Sequence, residues 1–296
     1  MTLLDGKEIA KTIRGELRHQ CDYLIRKGYE PPCLGIVIVG NNPASVTYVT
    51  NKSLACKEVG MKVYVREVDI ATSQTDLLDV INQFNNDESV DGFIVQLPLP
   101  SHIDEKVVTA SIACNIDVDG LTPENMGRVL QGLPAIVSAT PKGIRELLKR
   151  YDISTQGKQV VIIGRSTIVG KPLANFLIQK NELGNAQVTI CHSYSQNLSA
   201  ICRQADIIVS ATGHPNLIRE DMVKEGCVVI DVGITRIEDP SSSKGYRIVG
   251  DVDFEHVAPK CSFITPVPGG VGPMTIASLL QNTMQCYYQN NKRNPI

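Results

Sequence analysis

The segment Gly164-Arg165-Ser166-Thr167-Ile168-Val169-Gly170 follows the apolar run Val160-Val161-Ile162-Ile163 and opens a helix with Leu173, Phe176 and Leu177 on one face. A strand, a glycine turn and a helix N-terminus aim free backbone N–H groups and a helix dipole at one spot, a chemistry that suits a phosphate. The spacing is G-x5-G rather than G-x-G-x-x-G, so the bland alternative is an ordinary strand-to-helix turn of a doubly wound sheet. Arg165 could pair with a phosphate or with a surface carboxylate. At the end of the next strand, where an NAD site places an acidic residue on the ribose, the chain has His192-Ser193. Without a carboxylate there to repel a 2′-phosphate, NADP is favoured, with NAD still open.

A second group of residues could move protons. Tyr48 and Lys52 are four apart on a predicted helix and so share a face. The loop 96–100, Gln-Leu-Pro-Leu-Pro, follows a predicted strand and would reach the same sheet edge. An amine held between a phenol and an amide could be oriented for proton transfer; a solvated lysine beside a half-buried tyrosine is the plain alternative. Asp117 and Asp119 flank one residue before Gly120 and lack the further oxygens of a calcium or magnesium site, so no metal is expected. Either an Asp–Gly turn or a carboxylate that reads a heterocycle's N–H groups fits that spacing. The run Thr265-Pro266-Val267-Pro268-Gly269-Gly270-Val271-Gly272-Pro273-Met274-Thr275 joins stiff prolines to glycines that permit close backbone approach, which suits ligand contact or a rigid linker.

Positioning these groups takes an α/β scaffold. A helical stripe over residues 7–27 precedes a doubly buried strand at 34–39, then a helix at 45–58 stopped by Gly60, a strand at 63–68, a helix at 77–84 and a strand at 92–95. That β-α-β-α-β order implies a parallel sheet. The middle reads as loop-rich, and Thr140-Pro141 looks like an N-cap and first-turn proline opening a helix at 142–150. A second series follows, with strands at 159–163, 187–191, 207–210, 228–230 and 262–264, a hairpin at 234–249 and a last helix at 273–288. The 296 residues and 43% apolar content support two cores. A net charge of -2 without a basic run argues against nucleic acid. The nine scattered cysteines fit neither a disulfide framework nor a zinc site. No signal peptide or spanning segment is seen, so a soluble, cytosolic protein away from membranes is expected.

Together these segments resemble the bifunctional methylenetetrahydrofolate dehydrogenase/cyclohydrolase family. The likeness runs through Asp5-Gly6-Lys7, Tyr48-Val49-Thr50-Asn51-Lys52, the stretch 91–100, Asp117-Val118-Asp119-Gly120, Thr140-Pro141-Lys142-Gly143, the glycine turn, Gly250-Asp251-Val252 and the stretch 264–275. It implies an α/β catalytic domain (1–138 and 273–296, the last helix returning to it) and a Rossmann-type domain with a parallel sheet (139–272). It also implies oxidation of 5,10-methylenetetrahydrofolate with NADP, then hydrolysis of the methenyl product to 10-formyltetrahydrofolate, a one-carbon donor for purine biosynthesis. By motif position, Lys52 is the cyclohydrolase lysine, Tyr48 orients the folate, Gln96 hydrogen-bonds the lysine and Asp119 anchors the pterin. Gly164, Arg165, Ser166, Val169, Gly170, Ser193 and Ile234 fall at cofactor positions, and Pro268, Gly269, Gly272 and Thr275 at substrate positions near the nicotinamide. The resemblance further implies a homodimer. A monofunctional dehydrogenase and a non-catalytic scaffold are the competing readings, and the joint presence of Tyr48, Lys52, Gln96 and Asp119 argues against both.

Overall fold

In the computed structural model, which describes residues 1–242 and 245–291, strand β1 (Thr2–Leu3) and helix α1 (Gly6–Arg26) lead to β2 (Cys33–Val39), α2 (Pro43–Val59), β3 (Lys62–Val68), α3 (Gln74–Asn85) and β4 (Gly92–Val95). Helices α4 (Glu105–Ala110), α5 (Pro123–Gln131) and α6 (Ala139–Arg150) follow. The second half holds β5 (Gln159–Ile163), α7 (Gly170–Leu177), β6 (Gln187–Cys191), α8 (Leu198–Gln204), β7 (Ile207–Ser210) and β8 (Cys227–Asp231). It ends with β9 (Thr235–Glu238), β10 (Tyr246–Val249), α9 (Phe254–Val257), β11 (Cys261–Ile264) and α10 (Val271–Asn290). The chain divides into two compact units, Lys11–Ala139 with Ile276 onward, and Met1–Ala10 with Thr140–Thr275.

The first unit is built on a parallel sheet in the order β3-β2-β4. Its central strand β2 is buried at every position, which is why 34–39 reads as a continuous apolar run. Val37, Leu77, Ile81, Phe84 and Phe93 belong to its core, with the Phe84 and Phe93 rings stacked at 4.5 Å between centroids. Helix α2 starts where the Asn42 side chain accepts the N–H groups of Ala44 and Ser45, with Pro43 in the first turn. It ends at Gly60, whose φ of 81° is the left-handed C-cap that glycine permits.

The other unit carries a six-stranded sheet ordered β1-β11-β8-β7-β5-β6, parallel throughout. Strand β5 lies between β6 and β7, so the strand order reverses there, the kind of switch point at which α/β sheets bind ligands. Val161, Ile163, Ile208, Val229 and Ile264 belong to its core. The antiparallel pair β9–β10 forms the hairpin expected at 234–249.

Three expectations need correction. The first ten residues group with the six-stranded sheet rather than with the first unit, because Thr2 and Leu3 pair with Phe263 and Ile264 and the Leu4 N–H bonds the Ile264 carbonyl at 2.8 Å. Thr140 is not an N-cap: α6 already includes Ala139, and the Thr140 hydroxyl lies 3.0 Å from that of Thr275. The loop-rich middle, 96–120, holds one short helix, α4, capped by Asp104, and α5, capped by Thr122, follows just beyond it.

Candidate active site

In the β3-β2-β4 unit, α2 carries Tyr48 and Lys52 one turn apart, Tyr48 exposed and Lys52 half-buried. Gln96 follows β4 directly and is buried; its backbone N–H bonds the Val37 carbonyl at 2.8 Å and so fixes it to the central strand. Its side chain is used at both ends. The Lys52 Nζ donates to Gln96 Oε1 at 3.0 Å, while Gln96 Nε2 donates to the Leu97 carbonyl at 2.6 Å. The second bond settles which end of the amide faces the lysine, and it leaves Lys52 with a neutral acceptor rather than a carboxylate.

The two aspartates separate cleanly. Asp117 is buried and structural: its carboxylate accepts the N–H groups of Leu121 and Thr122 and the side-chain amide of Asn125. Asp119 has no hydrogen bond among the described residues. Burial pushes its carboxyl above the usual range, the Lys52 charge counters the rise, and Asp117 adds to it. Lys52 and Asp119 therefore feel each other across a common site. The loop between the aspartates is pinned from three sides. The Phe93 N–H bonds the Ile116 carbonyl at 2.7 Å. Gly92 leaves room for Val118, whose Cγ1 would sit 2.4 Å from a Cβ there. Asn282 of α10 donates to the carbonyls of Val118 and Val137 at 2.7 and 2.8 Å. Sequence reasoning missed Asn282; a polar side chain inside the apolar stripe of the last helix was its signal.

In the six-stranded unit, the β5–α7 turn has the form a dinucleotide needs. Gly164 has φ 121°, and a Cβ there would fall 2.4 Å from the Ala211 carbonyl oxygen. A Cβ on Gly170 would fall 2.0 Å from the Gly164 oxygen. Both positions therefore demand glycine. The Ser166 hydroxyl accepts the N–H of Val169, the residue preceding α7, at 3.1 Å. Among the described residues no partner takes the backbone N–H of Arg165, Ser166 or Thr167, which leaves three donors at a helix N-terminus. Donors without partners beside positions that only glycine can fill fit a pyrophosphate. Arg165 and Ser193 are exposed, and the Arg165 guanidinium lies 5.8 Å from the ring centroid of Tyr194. Tyr194 was not foreseen.

The same unit gathers Ile234 and the proline–glycine loop. The Ile234 side chain is half exposed and would meet a Cβ on Gly272 at 3.6 Å. Pro268 is exposed, Gly269 has φ 114° and its carbonyl accepts the Lys7 N–H at 2.9 Å, and Thr275 faces Thr140. Among the described residues no cluster of side chains could hold a metal ion, and no helix is long and apolar enough to cross a membrane.

A glycine-turn nucleotide cradle at the switch point of a parallel sheet, in a chain with a second α/β unit holding a lysine, a glutamine and an aspartate, defines a two-unit α/β protein of the dinucleotide-binding class. Comparison narrows the class. Residues 4–119 match the catalytic domain of tetrahydrofolate dehydrogenase/cyclohydrolase, and residues 138–291 match its NAD(P)-binding domain. The bifunctional protein FolD of Bacteroides thetaiotaomicron is 51% identical over 284 residues, 96% of this chain and 97% of that protein. The crystal structure of the bifunctional FolD dehydrogenase/cyclohydrolase from Campylobacter jejuni superposes with a TM-score of 0.92 at 48% identity, covering 98% of this chain and 99% of that one. The Trypanosoma brucei enzyme, solved with NADP and an inhibitor, gives 0.91 at 37% identity, with 97% of each chain covered. The chain belongs to the tetrahydrofolate dehydrogenase/cyclohydrolase family.

Proposed function

We propose that the Lys52–Gln96–Asp119 cluster hydrolyses a methenyl-folate cation produced by a dehydrogenase step that uses the Gly164–Gly170 cradle. The chain is thus a bifunctional enzyme. It oxidises 5,10-methylenetetrahydrofolate to the methenyl cation by loss of a hydride, and it converts that cation and water to 10-formyltetrahydrofolate and a proton. When bound, the nicotinamide supplies the hydride acceptor. The cradle's open N–H groups hold its phosphates, and Arg165 with Ser193 faces the ribose phosphate, where the absence of a carboxylate favours NADP over NAD. The observation that carries the hydrolytic half is the 3.0 Å bond from Lys52 to the neutral oxygen of Gln96. An amine so held is aimed without a carboxylate to trap its proton, and in neutral form it can take a proton from the attacking water. Asp119, without a partner of its own, offers its carboxylate to the N–H groups of the pterin, and Tyr48 presents a ring one helical turn away. Substrate contact by Pro268, Gly269, Gly272 and Thr275 belongs to the same reading. The functional division follows the two sheets, the three-stranded unit carrying hydrolysis and the six-stranded unit the cofactor.

The test is to supply methylenetetrahydrofolate with NADP, and separately with NAD, while following reduced nicotinamide and the methenyl chromophore. Reduced nicotinamide with little standing methenyl-folate is expected. Stoichiometric build-up of methenyl-folate would reduce the chain to a dehydrogenase, and no signal at all would leave only a scaffold. The reading extends to a homodimer, supported by the edge strand β3, which leaves Tyr64 half exposed; sedimentation at micromolar concentration should give about twice the 32.3 kDa monomer mass. A cytoplasmic setting, where the 10-formyl product serves purine biosynthesis, agrees with nine free cysteines.

A further inference from the structure

The motif Gly250-Asp251-Val252 takes no part in the chemistry above, yet its aspartate is completely buried in the nucleotide unit. Asp251 Oδ2 accepts three hydrogen bonds, from the Ser210 hydroxyl at 2.8 Å, the Thr212 N–H at 2.7 Å and the Thr212 hydroxyl at 2.9 Å. Its Oδ1 is buried and has no partner. Beside it, Asp231 ends β8 and is also buried. Asp231 Oδ1 accepts the N–H groups of Gly233 and Asp251, and Oδ2 that of Val252, each at 2.9 Å. A Cβ on Gly250 would lie 1.9 Å from Asp231 Oδ2, and one on Gly233 would lie 2.1 Å from Asp251 Oδ1. Two glycines therefore exist to let these carboxylates in. Six donors surround the pair and none is cationic, and among the described residues neither aspartate forms an ion pair.

Packing alone does not account for such a pair. Two buried carboxylates without a cation are costly, and at position 251 an asparagine oxygen could accept the same three bonds, since all of them fall on Oδ2. Asp231 closes β8 at the carboxyl edge of the parallel sheet, three residues before exposed Ile234. The pair also backs the β7 loop, whose Ala211 carbonyl abuts Gly164. The orphan oxygen Asp251 Oδ1 lies against Gly233, the residue before Ile234. Resting on the cofactor site proposed above, we infer that the Asp231–Asp251 pair is a positioning device of fixed negative charge that makes the site prefer the cationic, oxidised nicotinamide to the neutral, reduced one. The two cofactor forms share every phosphate and differ in ring charge, so a fixed negative charge is the simplest protein feature that separates them.

The test is the ratio of two dissociation constants, for NADP+ and NADPH, measured by calorimetry on the purified full chain without folate. Asp251→Asn should weaken NADP+ on the order of ten-fold while leaving NADPH within error, the equivalent of one pKa unit of charge interaction. Thr212→Val removes one hydrogen bond to Asp251 but keeps its charge, and should leave the ratio unchanged. Equal weakening of both forms by Asp251→Asn, or a ratio shift by Thr212→Val as large, overturns the inference and makes the pair purely structural. If Asp251→Asn does not fold, the wild-type ratio is followed from pH 7.5 to 5. Burial raises Asp231 to about 6, so the preference for NADP+ should shrink as pH falls through that value, and a flat ratio overturns the inference. The ionisable groups beside Asp231 are Asp251 and, around the neighbouring cavity, Arg247, Asp253 and Glu255. If the wild-type chain binds neither form, the cofactor site itself fails; normal binding with an unmoved ratio removes only the role of the aspartates.

Discussion

Lys52 is half-buried and Asp231 buried, and what separates their roles is the partner each ionisable group is given. Lys52 has a neutral amide oxygen at 3.0 Å and an aspartate felt through space. Lys52→Met should lower cyclohydrolase activity by about 10²–10⁴-fold, the usual size of a lost acid–base group, and let methenyl-folate accumulate. A Met variant that hydrolyses methenyl-folate at the wild-type rate removes Lys52 from the mechanism. Gln96→Glu puts a carboxylate against the amine, which favours the ammonium, so the acid limb of the cyclohydrolase profile should move to higher pH. Asp231 shows the opposite balance. Desolvation outweighs its three N–H bonds and raises it from 3.8 to about 6. Between those values the folded protein holds a proton that the unfolded chain has released. Its stabilising contribution, about 3 kcal/mol, is complete below about pH 3.8 and is lost as pH rises through 6. The urea midpoint of wild type should therefore fall relative to that of Asp231→Asn from pH 4 to pH 7; a pH-independent difference contradicts the raised carboxyl.

At the scale of elements, the glycine turn is the most exposed to test. Gly164→Ala forces a Cβ to within 2.4 Å of the Ala211 carbonyl at a φ of 121°, where an L residue is strained. Nucleotide affinity should fall by at least about ten-fold, a loss of about 1.4 kcal/mol. Hydrolysis of supplied methenyl-folate, chemistry that needs no hydride acceptor, should persist. Unchanged NADP affinity in this variant would dissociate the turn from the cofactor. The turn was legible in the sequence because a buried strand, two glycines and an apolar helix face leave a strong local pattern. Residue pattern alone placed Lys52 and Gln96 only as neighbours at one sheet edge; the bond between them spans 44 residues, no periodicity reports it, and the family resemblance alone pointed to it. Spacing alone could not choose between Asp117 and Asp119, since Thr122 and Asn125 claim Asp117 through loop geometry; only the family resemblance pointed to Asp119. Helix α4, six residues long, and β1, two residues long, are too short to carry a pattern that can be read.

On the scale of the molecule, the division into two units cuts across chain order, since each unit takes residues from both halves of the sequence. The three-stranded unit depends on the last helix in a way the six-stranded unit does not. Asn282 supplies both carbonyls flanking the Asp119 loop with a donor, and Leu279, Leu280, Met284, Tyr287 and Tyr288 are all buried. Removing such side chains forfeits about 1.5–3 kcal/mol each, a sum comparable with the whole stability of a domain. The buried Val118 carbonyl would also lose its partner, at about 1–3 kcal/mol, and the part-buried Val137 carbonyl would lose its own. A chain ended at Thr275 keeps every residue of the six-stranded unit, including the Gly164–Gly170 cradle and the Asp231–Asp251 pair. It should therefore still bind NADPH, followed by the fluorescence of the reduced ring. Its cyclohydrolase activity should vanish, and residues 11–139 should become open to limited proteolysis. Point substitution gives the finer control: Asn282→Leu keeps the apolar packing but removes both donors, and should raise the KM for folate while leaving nucleotide affinity untouched. If the truncated chain hydrolysed methenyl-folate at the wild-type rate, the last helix would have no part in holding Asp119. The loop would then have to be fixed by Gly92 and the Phe93–Ile116 bond alone, which leaves the Val118 carbonyl without its Asn282 donor.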